Sequence, residues 1–416
     1  MNIESLVVEK AMKAKQICTE FALISDADRK NILKYIANEL REKSDYILLE
    51  NQKDLSLAKE KGITEALLDR LKLNEERIFN ISNSVEKVAN LPSTLGDIKT
   101  MWKRPNGLMI GKMVVPLGVV AIIYEARPNV TVDAAALCIK SGNTVILRGG
   151  SEAINSNTAL VNVIQNAIEK AGFSKEIVQF IDVTDRKAVD ELMKLYQYID
   201  VLIPRGGPSL INYTIENSRI PVIQTGAGNC HVYVDKDADI NKALKIVENA
   251  KISRPSVCNA VETILVHNDI ANEFLKKLYL LLNNKVEFRG CKKTLKILPQ
   301  IKPSTDKDWE TEYLDYILAV KIVEDVEEAI KHINTYSSKH SEAIVTENYI
   351  TIRKFLNEID AAAVYVNAST RFTDGEEFGY GAEMGISTQK LHVRGPIGIE
   401  DLTTYKYVIL GNGQVR

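Results

Sequence analysis

From residue 119 onward the chain alternates short apolar runs with helix-length segments, and this alternation limits the fold more than any other feature. VVAIIY (119–124), NTVILR (143–148), EIVQFI (176–181), YIDVLIP (198–204) and IPVIQ (220–224) read as strands. VDAAALCIKS, residues 152–171, DRKAVDELMKLY and PSLINYTIENS read as the helices between them. Strands with no polar alternation need cover on both faces, and crossover helices supply it. The pattern therefore predicts a parallel, doubly wound α/β sheet. A second block starts near residue 231, with CHVYVD, ETILVH, DYILAVKIV, EAIVT and AAVYVN as strands and ANEFLKKLYLLLNN, VEEAIKHINTY and ITIRKFLNEI as helices. At 416 residues the chain exceeds one ordinary core, so two α/β lobes with a cleft between them are expected.

Residues 1 to about 90 read as helices, and Ser25 with Asp28 forms a capping-box pattern ahead of helical apolar spacing. MWKRPNGLMIGKMVVPLG reads as a projecting hairpin arm, and TTYKYVILGNG as a last strand. A net charge of −2 argues against a general nucleic-acid binder. No apolar run approaches the roughly 20 residues needed to span a bilayer. The start, MNIESLVVEKAMKAK, lacks a signal-peptide layout, so a cytoplasmic protein is expected. The five cysteines are widely spaced with no CxxC pair, and the five histidines are scattered, so neither a disulfide framework nor a metal centre is expected.

Ligands of such sheets bind beyond the carboxyl ends of the strands, which points to RGGSEA (148–153), IPRGGPS (203–209) and TGAGN (225–229). Gly206 and Gly207 are either turn residues or the opening of a helix whose amides hold a pyrophosphate. Arg148 near Ser151 suits an extra phosphate, as on the adenosine ribose of NADP; a solvated surface arginine is the alternative. Asn129 is either a helix cap or an amide donor for an oxyanion. Burial is the default for a cysteine, and Cys18, Cys138, Cys230 and Cys291 receive that reading. Cys258 differs. It sits in SRPSVCNAVET, among polar residues beside Arg254, where a thiolate is favoured.

The strings VPLGVVAIIYEARPNVTVDAAALCIKSGNTVILRGGSEA, GNCHVYVDKDADI, SVCNAVETILVH, VYVNASTRFTDGEEFGYGAEMGIST and LHVRGPIGIEDLTTYKY, spanning 115–408, resemble the aldehyde dehydrogenase superfamily. More narrowly they resemble its branch that reduces L-glutamyl 5-phosphate to L-glutamate 5-semialdehyde in proline biosynthesis. The resemblance implies Cys258 as nucleophile, Asn129 as oxyanion donor, Arg148 and Ser151 at the adenosine ribose of NADPH, and Glu312 at the nicotinamide ribose. Arg127, Arg254 and Arg371 are candidate partners for the substrate's anionic groups. It also implies a cofactor domain of 1–97, 118–230 and 375–394, a catalytic domain of 231–374, and an oligomerisation arm of 98–117 and 395–416. The arm implies at least a dimer, and the reaction implies a functional partner, the glutamate 5-kinase that makes the acyl phosphate.

One departure from the wider superfamily is informative. Where ordinary members have a water-activating glutamate, this chain has Gln224, which cannot serve as a base for thioester hydrolysis. A reductase working from an acyl phosphate has no use for that step. An acylating, coenzyme-A-dependent aldehyde dehydrogenase and a non-catalytic protein of the same fold are the two rival readings.

Overall fold

The computed structural model describes residues 2–63 and 65–416. They form two compact units. One runs up to Thr225 and takes back Gly379–Gly385 and Ile397–Arg416; the other comprises Gly226–Phe378 and Ile386–Pro396. No described helix is long and apolar enough to cross a membrane.

In the first unit, the expected capping box opens the helix Asp26–Glu42. The Asp28 N–H donates to Ser25 Oγ at 3.1 Å and the Ser25 N–H to Asp28 Oδ2 at 3.3 Å. Its parallel sheet runs in the order Val178–Phe180, Thr144–Gly149, Val119–Tyr124, Val201–Arg205. Every residue of Val119–Tyr124 and Thr144–Gly149 is buried, as strands covered on both faces must be. The chain moves outward from Val119–Tyr124 on one side and then returns to its other side with Val201–Arg205. The switch point therefore lies at the carboxyl ends of those two strands, where residues 125–129 and 205–207 emerge. Residues 220–224, predicted as a strand, give only a single bridge from Val222 to Leu202. Pro221 has no N–H with which to extend a ladder.

The arm is an antiparallel sheet in which Met109–Pro116 pairs with both Ile98–Lys103 and Thr403–Leu410. Ile98, Met101, Trp102, Tyr405, Tyr407, Ile409 and Leu410 are all exposed on it.

The second unit holds a seven-stranded, all-parallel sheet in the order Lys302–Pro303, Glu287–Gly290, Ile317–Val323, Val261–His267, Cys230–Val234, Ser341–Val345, Ala363–Val366. Alternate residues serve opposite faces. Ile264 and Val266 pack with Phe274 and Leu278 of one helix layer, whereas Leu265 joins Ile330, Ile333 and Phe355 on the other. Glu287–Gly290 and Lys302–Pro303 escaped the sequence reading because four and two residues are too few to show a period. Leu265 is fully buried at the centre of this sheet. Leu265→Ala should cost about 2–5 kcal/mol, read as an earlier urea midpoint with an unchanged far-UV spectrum of the folded protein.

Candidate active site

Cys258 lies in the loop that joins the helix Ile240–Ile252 to the strand Val261–His267. Ser253 ends that helix, its Oγ donating back to the Asn249 carbonyl at 2.7 Å. Small and polar residues then hold the chain in turns until Ala260. Cys258 is half-buried, whereas Cys18, Cys138 and Cys230 are buried. Cys291, read as a core thiol from sequence, is also only half-buried, because it stands at the start of the short helix Lys292–Ile297. Burial raises its thiol, but donors from the Thr294 side chain and nearby backbone N–H groups outweigh that and leave it lowered.

The loop is held from beneath by backbone that could not carry a side chain. A Cβ on Gly228 would lie 1.6 Å from the Cys258 carbonyl oxygen. The Gly228 N–H donates to Glu312 Oε1 at 2.7 Å. Asn229 next door is pinned to the carbonyls of Trp309 and Tyr336, each at 2.8 Å. The buried Cys230 thiol donates to the Cys258 carbonyl at 3.1 Å. The TGAGN stretch, read from sequence as a strand-end ligand loop, thus forms the floor under the cysteine.

The loop's flanks are fixed as well. Asn259 donates to the carbonyls of Arg371 at 3.2 Å and Thr373 at 2.9 Å, and its Oδ1 accepts from the Arg371 guanidinium. Arg371 Nε donates to Ser253 Oγ at 3.0 Å. Arg371 therefore spans the loop and is committed to it. Burial lowers its pKa, Asp374 raises it, and the charges of Arg254 and Cys258 also reach it. A guanidinium this close favours a thiolate. At the base of the loop, Lys251 and Glu262 form a fully buried ion pair at 2.6 Å. Burial pushes Glu262 up to about 7 and Lys251 down. Glu262 Oε1 also accepts from the Leu314 N–H at 3.2 Å. Sequence reading passed over this pair; its signal is two opposite charges in apolar settings on either side of the cysteine loop.

In the first unit, Arg127 is the N-cap of the helix Pro128–Lys140 and makes no side-chain cap bond. Asn129 is thus not the cap. It lies inside the first turn, and its Nδ2 donates to Asp133 Oδ2 at 3.0 Å. Gly207 opens the helix Pro208–Asn217, but its N–H donates to Glu125 Oε2 at 2.8 Å. A Cβ on Gly206 would meet that same carboxylate at 2.5 Å. Arg148 is 8% exposed; one Nη donates to the Thr184 carbonyl at 3.1 Å and its Nε has no partner. Burial lowers the Arg148 pKa, and neighbouring Glu152 raises it. Ser151 lines a cavity of about 410 Å³ together with Glu125, Ala126, Glu152, Asp54 and Lys61. Glu152 Oε1 accepts the Ala126 N–H at 2.5 Å, and Ala126 has a strained φ of +30°.

The structure thus gathers Cys258, Glu312, Arg254 and Arg371 in the second unit, and Ser151, Arg148, Gly206 and Gly207 around Glu125 and Glu152 in the first. Gly228→Ala forces the Cys258 backbone to shift. Because a displacement of about 1 Å can cost a hundredfold in rate, the variant should lose about two orders of magnitude in turnover, measured alongside a far-UV spectrum that shows the fold retained.

The aldehyde dehydrogenase family model matches residues 4–310 and 288–408. The gamma-glutamyl phosphate reductase of Petrotoga mobilis is 72% identical over 416 residues, all of both chains. The crystal structure of gamma-glutamyl phosphate reductase from Thermotoga maritima superposes with a TM-score of 0.95 at 48% identity, covering 99% of each chain. An engineered glycolyl-CoA reductase with bound NADP+ shares the fold at a TM-score of 0.70 and 18% identity, over 97% of this chain and 96% of that one. The chain belongs to the aldehyde dehydrogenase family, in the branch that these gamma-glutamyl phosphate reductases form.

Proposed function

We propose that this protein reduces L-glutamyl 5-phosphate to L-glutamate 5-semialdehyde and phosphate, with NADPH as reductant and a thioester on Cys258 as intermediate. The full-length identity of 72% to a gamma-glutamyl phosphate reductase carries the reading. The coenzyme-A-dependent rival is weaker, because the coenzyme A enzymes share only the fold at 18% identity.

The chemistry follows from residue types. The Cys258 thiolate attacks the acyl carbonyl, and the Asn129 amide with the Cys258 N–H takes the oxyanion. Collapse expels phosphate and leaves the thioester. NADPH supplies the hydride that converts the thioester to the aldehyde, and the thiolate is released. Gln224 offers no base to activate water, so the thioester is spared hydrolysis. Arg371, whose charge couples to Cys258, favours the thiolate there, and Arg254 is a candidate cationic partner for the departing phosphate. Arg127 is a third candidate, for the substrate carboxylate.

For the cofactor, a buried guanidinium with an unpartnered Nε at a strand's carboxyl end, three residues before Ser151, supports an anion-binding role. Arg148 and Ser151 would hold the adenosine side. Gly206 and Gly207 would hold pyrophosphate once Glu125 swings away, and Glu312 would hold the nicotinamide ribose while gripping Gly228. We place the enzyme in the cytoplasm, receiving its labile substrate from glutamate 5-kinase.

The test runs the reaction backwards. Glutamate 5-semialdehyde, NADP and phosphate should give NADPH absorbance that depends on phosphate, is weaker with NAD, and is abolished in Cys258→Ala. Signal with coenzyme A in place of phosphate would sink the assignment.

The arm supports self-association, since it exposes seven large apolar or aromatic side chains on a three-stranded sheet. Sedimentation should show a dimer or larger species, and Tyr407→Asp with Ile409→Asp should shift it toward the monomer.

A further inference from the structure

Every residue from Val130 to Lys140 is buried except Asp133, which is half-buried on the same helix. Its carboxylate accepts the Asn129 Nδ2–H at 3.0 Å. The charged groups that face it are Glu383 and Arg205, which form a loose ion pair with each other at 3.7 Å. Burial pushes the Asp133 carboxyl up to about 7; the Asn129 bond pulls it down, Glu383 pushes it up, and Arg205 pulls it down. Neither group bonds it directly among the hydrogen bonds and ion pairs described. A half-buried carboxylate bonded by one amide is partly desolvated, and an i, i+4 pair on a helix returns little of that cost.

An Asn carboxamide can present either its nitrogen or its oxygen, and only its partners decide which. An ionised carboxylate can only accept, so above about pH 7 Asp133 admits one orientation. We propose that Asp133 is a positioning residue for the Asn129 amide: it binds one Nδ2–H and thereby leaves the second Nδ2–H, never the carbonyl oxygen, to face the oxyanion. The inference rests on the assignment of Asn129 as oxyanion donor.

The raised carboxyl adds a stability readout to the kinetic one. A carboxyl raised above its ordinary 3.8 in the folded state costs stability at higher pH. That cost is absent below the ordinary value, grows as pH rises, and is complete above about 7. Removing the acid should therefore raise stability at pH 8, with the gain gone by pH 4, while slowing the reaction.

The test uses the reverse assay and thermal unfolding on Asp133→Leu, Asp133→Asn, Asn129→Ala and the double variant Asn129→Ala with Asp133→Leu. Asp133→Leu should lose about tenfold or more in kcat, a share of the roughly hundredfold that a missing oxyanion donor costs. KM for NADP should stay within about twofold, since the amide acts on the chemical step alone. Asp133→Asn keeps the shape but adds a donor, so it should lose less in kcat, and it carries the test if the leucine variant misfolds. The double variant should be no slower than Asn129→Ala. Native kcat in both Asp133 variants, or losses that multiply in the double variant, would overturn the inference while a slow Asn129→Ala keeps the oxyanion assignment. A native rate for Asn129→Ala would overturn the assignment and the inference together.

Discussion

Lys251 and Glu262 meet at 2.6 Å with no solvent contact, one on each side of the loop that carries Cys258. Desolvating two charges costs several kcal/mol per ion, and their attraction in the interior repays it only with good geometry and further hydrogen bonds. An apolar pair would serve stability as well. What an apolar pair could not do is accept the Leu314 N–H, which Glu262 holds with its second oxygen. Leu314 sits at a φ of +55°, a conformation that a leucine keeps only when its surroundings impose it. Two residues earlier, Glu312 grips the Gly228 N–H, and Gly228 lies directly against the Cys258 carbonyl. One buried charge pair thus closes the base of the cysteine loop and fixes the segment that shapes its floor. The placement of Cys258 is a property of this web rather than of its own few residues.

The same web shows what sequence can and cannot disclose. The strands Val119–Tyr124 and Val261–His267 were legible because burial on both faces writes a continuous apolar run. Cys258 was legible because polar neighbours are unusual around a cysteine. The floor under it was not. TGAGN stood out as a glycine loop, but its approach to Cys258 is made through space, 30 residues before it in the chain. Asn129 shows a different limit. Capping and oxyanion donation use the same side chain, and only the observed N-cap, Arg127, removes the first. Asp133 was in plain view in the sequence, yet its meaning depends on the burial of everything around it.

The glycine turn at 206–207 is the instructive case, because its amide is already taken. A helix N-terminus with small residues does attract an anion. Here the anion is the chain's own Glu125, bound to the Gly207 N–H at 2.8 Å. Glu152 likewise takes the Ala126 N–H. A pyrophosphate seated at Gly207 must displace a carboxylate that already gains from the same amide, so only the difference between the two interactions counts toward affinity.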